Sequence, residues 1–175
     1  MEYFNLRNDF PKLTHILDPV KIGLDDAWLS GFTDAEGCFA VKCTANSRYS
    51  TGYVFKIVYL LDQNCQISLE RILNLLGFGS VSKRAEKKYT FRYHSSGFDN
   101  MLKVADYFKR YNLRTKKAQA FENWTVILEG LNNKDHLSPE GCQRLRALAK
   151  QVNLINSCTT KIGSALKDKN QNYKI

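Results

Sequence analysis

Between residues 38 and 61 apolar and polar side chains alternate along the chain, which is the period of a half-buried strand. Cys38–Thr44 places Phe39, Val41 and Cys43 on one face. After the polar turn Asn46–Gly52, Tyr53–Leu61 places Phe55, Ile57 and Tyr59 on one face and Val54, Lys56 and Val58 on the other. The spacing turns helical at Gln66–Leu76, with Ile67, Ile72, Leu75 and Leu76 apolar and Gly77 as the stop. Two more strands follow, Gly79–Arg84 and Tyr89–Ser95, joined by Ala85–Lys88. Phe98, Met101, Leu102, Ala105 and Phe108 predict a helix over Phe98–Tyr111. Thr115 caps a helix that runs to about Leu131, and Ser138-Pro139-Glu140 opens another, to about Val152, with proline in the first turn. Ahead of all these, Asp25 or Asp26 caps a helix ending at Glu36, which Gly37 closes as a left-handed residue.

The order α-β-β-α-β-β-α, followed by further helices, predicts an α+β fold. A four-stranded antiparallel sheet carries its helices on one face and leaves the other open. Residues 1–23 read as an arm or linker with a short helix at Phe10–Leu17, residues 24–157 as the domain, and residues 158–175 as a polar, basic, mobile tail.

Composition narrows the partners. The chain has 175 residues, 43% of them hydrophobic, enough for one domain with a real core. Its 26 Lys and Arg outweigh 17 Asp and Glu, for a formal net charge of +9. That excess favours a polyanion, and an open sheet face on a basic protein is a candidate nucleic-acid platform. Cys38, Cys43, Cys65, Cys142 and Cys158 form no C-x-x-C pair, and His15, His94 and His136 are scattered. A zinc site or disulfide framework is therefore not implied, and reduced thiols in an intracellular protein are expected. No apolar run reaches the roughly 20 residues of a membrane span, and Met1–Phe10, with Glu2 and Asp9, lacks a secretory leader's apolar core.

The first helix breaks local rules. Ala27, Gly31 and Ala35 recur at every fourth position, a smooth stripe that a second helix can approach closely. Trp28, Leu29 and Phe32 suit the domain's own core, so two faces ask for burial. Asp34 and Glu36 lie in the last turn, where negative charge opposes the helix dipole at about 0.3–1 kcal/mol each. Gly31 costs about 1 kcal/mol more relative to Ala. Violations clustered in this way mark a functional site, and carboxylates beside free carbonyl oxygens suit a hard divalent cation.

The run Leu29-Ser30-Gly31-Phe32-Thr33-Asp34-Ala35-Glu36-Gly37 resembles the LAGLIDADG motif of homing endonucleases, agreeing at Leu29, Gly31, Asp34, Ala35 and Gly37. The order of strands and helices around it is similar to that family's αββαββα core. The resemblance implies a saddle-like sheet and two motif helices packed through their small residues, each delivering one acid. It makes Glu36 the metal ligand, with the Ala35 carbonyl assisting, and makes Asp34 structural. It also implies Mg²⁺, or another divalent cation such as Mn²⁺, with Ca²⁺ supporting a non-cleaving state. Gln63, at the end of the second strand, and a basic residue, Arg114 or Lys116, complete the implied catalytic set. Lys116 and Lys117 are also candidates for phosphate contacts. Only one motif is present, which implies a homodimer through Ala27, Gly31 and Ala35, or a half that needs another partner.

Strand parity defines the face that would read double-stranded DNA. With Phe39, Val41, Phe55, Ile57, Val81, Phe91 and Tyr93 inward, the outward residues are Ala40, Lys42, Thr44, Val54, Lys56, Val58, Ser80, Ser82, Arg84, Thr90, Arg92 and His94. Asn46, Ser47, Arg48 and Tyr49 on one hairpin, and Lys87 and Lys88 on the other, extend the reach. A dimer would read a long, partly palindromic site. The same fold also serves intron-RNA maturases and DNA-binding proteins with decayed catalysis. Frequent Asn, Lys, Tyr and Ile point to an A/T-rich coding genome, and so to a mobile intron of a mitochondrion or chloroplast.

Overall fold

The computed structural model describes residues 22–85 and 89–170, with side chains through residue 156. The expected helix at Phe10–Leu17 lies outside these residues. Helix α1 (Trp28–Glu36) leads into strands β1 (Gly37–Ala45) and β2 (Tyr53–Gln63) and then helix α2 (Gln66–Leu76). Strands β3 (Ser80–Lys83) and β4 (Phe91–Ser96) precede helices α3 (Phe98–Arg110), α4 (Lys117–Asn132) and α5 (Pro139–Asn170). A short 3-10 turn, Asp135–Leu137, joins the last two. The four strands form one antiparallel sheet in the order β1-β2-β4-β3.

Alternation puts Phe39, Val41, Ile57, Tyr59, Leu61 and Tyr93 on one face of the sheet, where they meet Met101, Val104, Phe108, Trp124, Ile127 and Leu145 from the helices. Phe39 is the hinge of this core. Its ring lies 5.1–5.4 Å, centroid to centroid, from Tyr59, Phe108, Phe121 and Trp124. Burying one such side chain contributes about 1.5–3 kcal/mol, and edge-on aromatic pairs add about 0.5–1.5 kcal/mol.

Strand β1 lies at the sheet edge, where unpaired amides invite another chain. Helix α5 closes that edge with side-chain amides. Asn153 donates to the Val41 carbonyl at 2.9 Å and accepts from the Val41 N–H at 3.4 Å, as a neighbouring strand would. Asn156 donates to the Phe39 carbonyl at 2.7 Å.

Several expectations need correction. Helix α1 starts at Trp28 rather than Asp25, and Asp26 Oδ1 accepts the Trp28 N–H at 2.8 Å. Gly37 is extended, at φ −83°, because it already opens β1. Glycine is required there by crowding: a Cβ would meet Thr33 Cγ2 and would lie 2.7 Å from the Thr33 carbonyl oxygen. Gly77 is the stop expected for α2 and is the left-handed one, at φ 76°. Trp28 is exposed, and so are Ile67, Phe98 and Leu102. In α1 the buried residues are Leu29, Ser30 and Thr33, a face rotated away from Trp28. Helix α5 continues well past Val152 to Asn170, and no proline interrupts it.

Candidate active site and nucleic-acid interface

Helix α1 buries hydroxyls because each has a partner. Thr33 Oγ1 and the Tyr59 hydroxyl share a hydrogen bond of 2.7 Å, and Ser30 donates to the Tyr111 carbonyl. The Tyr107 hydroxyl accepts from the Ser30 N–H at 3.3 Å and donates to the Asp26 carbonyl at 2.8 Å. These bonds fix the roll of α1 about its axis, and hence the direction of each acid.

The two acids then separate. Asp34 accepts the Arg114 N–H at 2.7 Å, the Thr115 N–H at 3.2 Å and the Thr115 hydroxyl at 2.7 Å. Thr115 Oγ1 in turn accepts the Lys117 N–H at 3.2 Å. The Asp34 carboxylate therefore sits at the N-terminal end of α4, where a helix dipole favours negative charge and offsets the cost at its own helix end. Asp34 is structural, as expected. Glu36 is exposed, and among the described residues its carboxylate enters no hydrogen bond.

The basic residue that reaches this place is Lys117. Its ammonium donates to the carbonyls of Thr33, Asp34 and Ala35 at 3.0, 2.9 and 2.9 Å, covering the last turn of α1. Burial pulls its pKa below the ordinary lysine value, while the nearby Asp34 and Glu36 carboxylates oppose that shift. Arg114 and Lys116 have exposed side chains, and Arg114 approaches α1 through its backbone N–H. Two adjacent lysines at a helix start point about 100° apart, so only one can turn toward α1. Sequence leaves that choice open, because it depends on where α4 begins. Gln63 is half-buried as the last residue of β2, and its Oε1 accepts the Asn64 N–H at 2.7 Å. Gly37 faces Leu61 in the β1–β2 register, so Gln63 and Glu36 lie at the same end of the sheet.

The oxygens at this end suit a hard cation in kind but not in number. Glu36 supplies one carboxylate and Ala35 one carbonyl, whereas such ions take six or more ligands. Among the described residues no group of three His, Cys, Asp or Glu stands ready for a metal.

Ala27, which precedes α1, and Gly31 and Ala35 on it are all exposed. A Cβ on Gly31 would meet nothing within 4 Å. Trp28 extends the stripe, stacked on Phe32 with centroids 5.3 Å apart. Its placement follows from helical geometry, since the buried Leu29, Ser30 and Thr33 leave Trp28 on the far side.

The outer sheet face forms rows across the strands. Ala40 faces Val58, which faces Ser96; Lys42 faces Lys56; Leu60 faces His94, which faces Ser80. Lys42, Thr44, Lys56, Ser80, Ser82 and Arg48 are exposed, while Ala40, Asn46, Thr90 and His94 are partly so. Burial and the nearby Lys56, Lys42 and Arg92 cations hold the His94 pKa below its ordinary value, leaving a neutral imidazole at pH 7. Val58 is a correction: it has the expected parity but is only 1% exposed, on a central strand paired on both sides. Arg84 and Arg92 are half-buried and both bind Asp62, an acid on the same face that the reading of basic positions passed over. Its parity with Lys56 and Val58 was the available signal. Lys87 and Lys88 fall outside the described residues.

A mixed α+β domain with an acid at the end of an exposed small-residue helix, beside an open polar sheet face, defines the architecture of a homing endonuclease. Residues 29–128 match the family model described as LAGLIDADG endonuclease, and the chain belongs to that family. A probable intron-encoded endonuclease 4 of Neurospora crassa is 32% identical over 87% of this chain and 27% of its own length. An uncharacterised ND4-intron protein of Podospora anserina is 27% identical over 78% of the chain and 30% of its own length. The chain thus spans less than a third of these relatives. Among solved structures, the homing endonuclease I-TnaI superposes with a TM-score of 0.69 at 24% identity, over 82% of this chain and 99% of the other, a likeness of fold. The archaeal intron-encoded homing endonuclease I-Vdi141I, complexed with DNA, gives 0.68 at 27% identity over 73% of this chain and 81% of the other. I-SmaMI, bound to uncleaved DNA in the presence of calcium ions, gives 0.68 at 28% identity over 73% of this chain and 45% of the other. No helix among the described residues is long and apolar enough to cross a membrane.

Proposed function

We propose that this chain is a site-specific double-strand DNA endonuclease that hydrolyses phosphodiester bonds with a divalent cation and assembles as a homodimer through α1. The observation that carries this reading is the division of labour at the end of α1. Asp34 is held by three donors at α4, while Glu36, next to the exposed Ala35, stays exposed and, among the described residues, without a hydrogen bond. A helix spared for structure alone has no use for that second acid.

In the paired state the two α1 helices meet along Ala27, Gly31 and Ala35, which brings both Glu36 carboxylates to one axis. Glu36 would hold a cation there, joined by the Ala35 carbonyl once the Lys117 ammonium that it accepts from at 2.9 Å moves aside, and Mg²⁺ or Mn²⁺ has the matching preference for oxygen. Such an ion supplies a water of lowered pKa and stabilises the departing 3′ oxygen. Lys117 keeps a positive charge beside the phosphate being cut, where negative charge grows in the transition state. Gln63 offers an amide at the same end to orient water or phosphate. The sheet face seats in the major groove, with lysines positioning phosphates and other side chains reading base edges. An organelle intron is the reading we favour for the coding site, in line with the intron-encoded relatives.

The short reach of the chain along its curated relatives supports a second arrangement, in which this domain is one half of a longer protein. One experiment separates them. The full chain and its Glu36→Gln variant are incubated with a tiled duplex library with and without Mg²⁺. Metal-dependent cutting at a partly palindromic site, absent in the variant, is the expected result. Binding without cutting indicates a missing half, an RNA-splicing role or lost catalysis. Neither binding nor cutting at low salt overturns the reading for the chain acting alone.

A further inference from the structure

The sheet face offered to DNA carries an acid where a surface meant for a polyanion has least use for one. Asp62, on β2, lies directly opposite Arg92 on β4, which lies opposite Ser82 on β3. Arg92 binds the carboxylate through two nitrogens, Nε to Oδ1 at 2.5 Å and Nη2 to Oδ2 at 2.6 Å. Arg84, just beyond β3, adds Nη1 to Oδ2 at 2.7 Å. The three side chains are 22–31% exposed, so the cluster is partly shielded from solvent. At the opposite end of the same face Lys42 sits directly across from Lys56, and both are exposed.

We propose that Asp62 is a positioning residue that presets Arg92 and Arg84 as paired readers of guanine in the major groove, at the base pairs nearest the cleavage centre. This rests on the nuclease reading above and names the bases that one part of the face selects.

Geometry carries the assignment. A guanidinium held by two bonds on one edge has its plane fixed, and arginine recognises guanine O6 and N7 through a planar, two-point fork. A flexible arginine must lose rotamer freedom on binding, whereas a clamped one has lost it already. One carboxylate gripping two guanidiniums also keeps them side by side, where their like charges would otherwise drive them apart. Burial works against the charge on Asp62, yet the two arginines hold its pKa below the ordinary value, so the clamp is ionised at neutral pH. The location follows from register: Leu61 faces Gly37, which immediately follows Glu36, so the Asp62 row is at the catalytic end. Base selectivity should therefore concentrate at this end, and salt sensitivity at the Lys42–Lys56 end.

The test uses the full chain, Asp62→Asn, Arg92→Gln and Arg84→Gln with a randomised duplex library, Ca²⁺ replacing Mg²⁺ so that retained duplexes stay whole. Base frequencies among retained duplexes are read alongside melting temperature. Guanine enrichment of about ten-fold at adjacent positions flanking the centre of the site is expected for the unsubstituted chain. Asp62→Asn should flatten it about ten-fold at those positions, spare the outer ones, and retain non-cognate duplex more strongly because one negative charge is gone. A guanine profile unchanged in Asp62→Asn, even with a lower melting temperature, overturns the proposal and leaves the triad as a staple between strands. Should Asp62→Asn fail to fold, the arginine variants decide: if neither weakens guanine at those positions, the proposal is overturned. If the unsubstituted chain retains no duplex at all, the nuclease reading itself falls and takes this one with it.

Discussion

At the scale of single residues, Asp34 and Glu36 are two carboxylates two positions apart in opposite surroundings, one held by three donors and one exposed. Asp34→Ala leaves the Arg114 and Thr115 amides without their acceptor, so we expect a loss of about 1–2 kcal/mol, the cost of a helix cap together with its dipole contribution. In a chain of this size that lowers the melting temperature by roughly 2–4 °C per kcal/mol. Glu36→Gln removes a charge that opposes the dipole of its own helix, so its stability should stay within about 0.5 kcal/mol or rise slightly while cutting is lost. Thermal melts beside a cleavage assay check both; an Asp34→Ala chain as stable as the parent would refute the cap. That Asp34 would be held by hydrogen bonds near the helix end was legible through the resemblance, though not from the local rule, which both acids break. The identity of the lysine was not. The sequence pointed to Arg114 or Lys116, and only the first turn of α4, set by Thr115 and Asp34, turns Lys117 instead toward the end of α1.

At the scale of elements, periodicity located all four strands, the helices α1 to α4 and the start of α5 to within a few residues, since a period of two and a period of 3.6 are hard to confuse over such runs, but it missed how far α5 continues past Val152. It could not show what meets a strand edge. The Asn153 amide on Val41 depends on α5 crossing β1, which no local pattern encodes. Asn153→Ala should leave both polar groups of Val41 less well satisfied and cost about 1–3 kcal/mol. Amide exchange at Val41 should quicken ahead of the strand centre; equal protection in both proteins would show that the edge closes without the asparagine. The Asp62 triad makes a second element-scale expectation, since it ties β2, β4 and the end of β3 together. The folded pKa of Asp62 lies below its ordinary value of 3.8, so its contribution is present above that pH and is lost as pH falls through the lower, folded value. The stability gap between the parent and Asp62→Asn should therefore persist at neutral pH and close in acid below 3.8. A gap that widens on acidification would contradict the ionised clamp.

At the scale of the whole molecule, the decisive feature is a face of α1 that a single chain leaves open. Ala27, Gly31 and Ala35 are exposed, and Trp28 with its stacked neighbour Phe32 enlarges the apolar stripe. Glycine in the middle of a helix costs about 0.5–1 kcal/mol relative to alanine, because the unfolded chain gives up more freedom. Nothing within the described chain requires glycine at position 31, since an added Cβ meets no atom within 4 Å. A closely packed second helix, as in the proposed homodimer, would supply such a requirement. Two opposite effects of Gly31→Ala follow. The isolated domain should gain about 0.5–1 kcal/mol of stability at low protein concentration. Assembly should weaken at the same time, because even one methyl group separates backbones that need to touch, and overpacking in a tight seam costs about 1–3 kcal/mol. Sedimentation across a concentration series, paired with thermal melts at the dilute end, reads both quantities. Higher stability with weaker assembly locates the partner on this stripe. Higher stability with unchanged assembly moves the interface elsewhere, and with it the axis that brings two Glu36 carboxylates together.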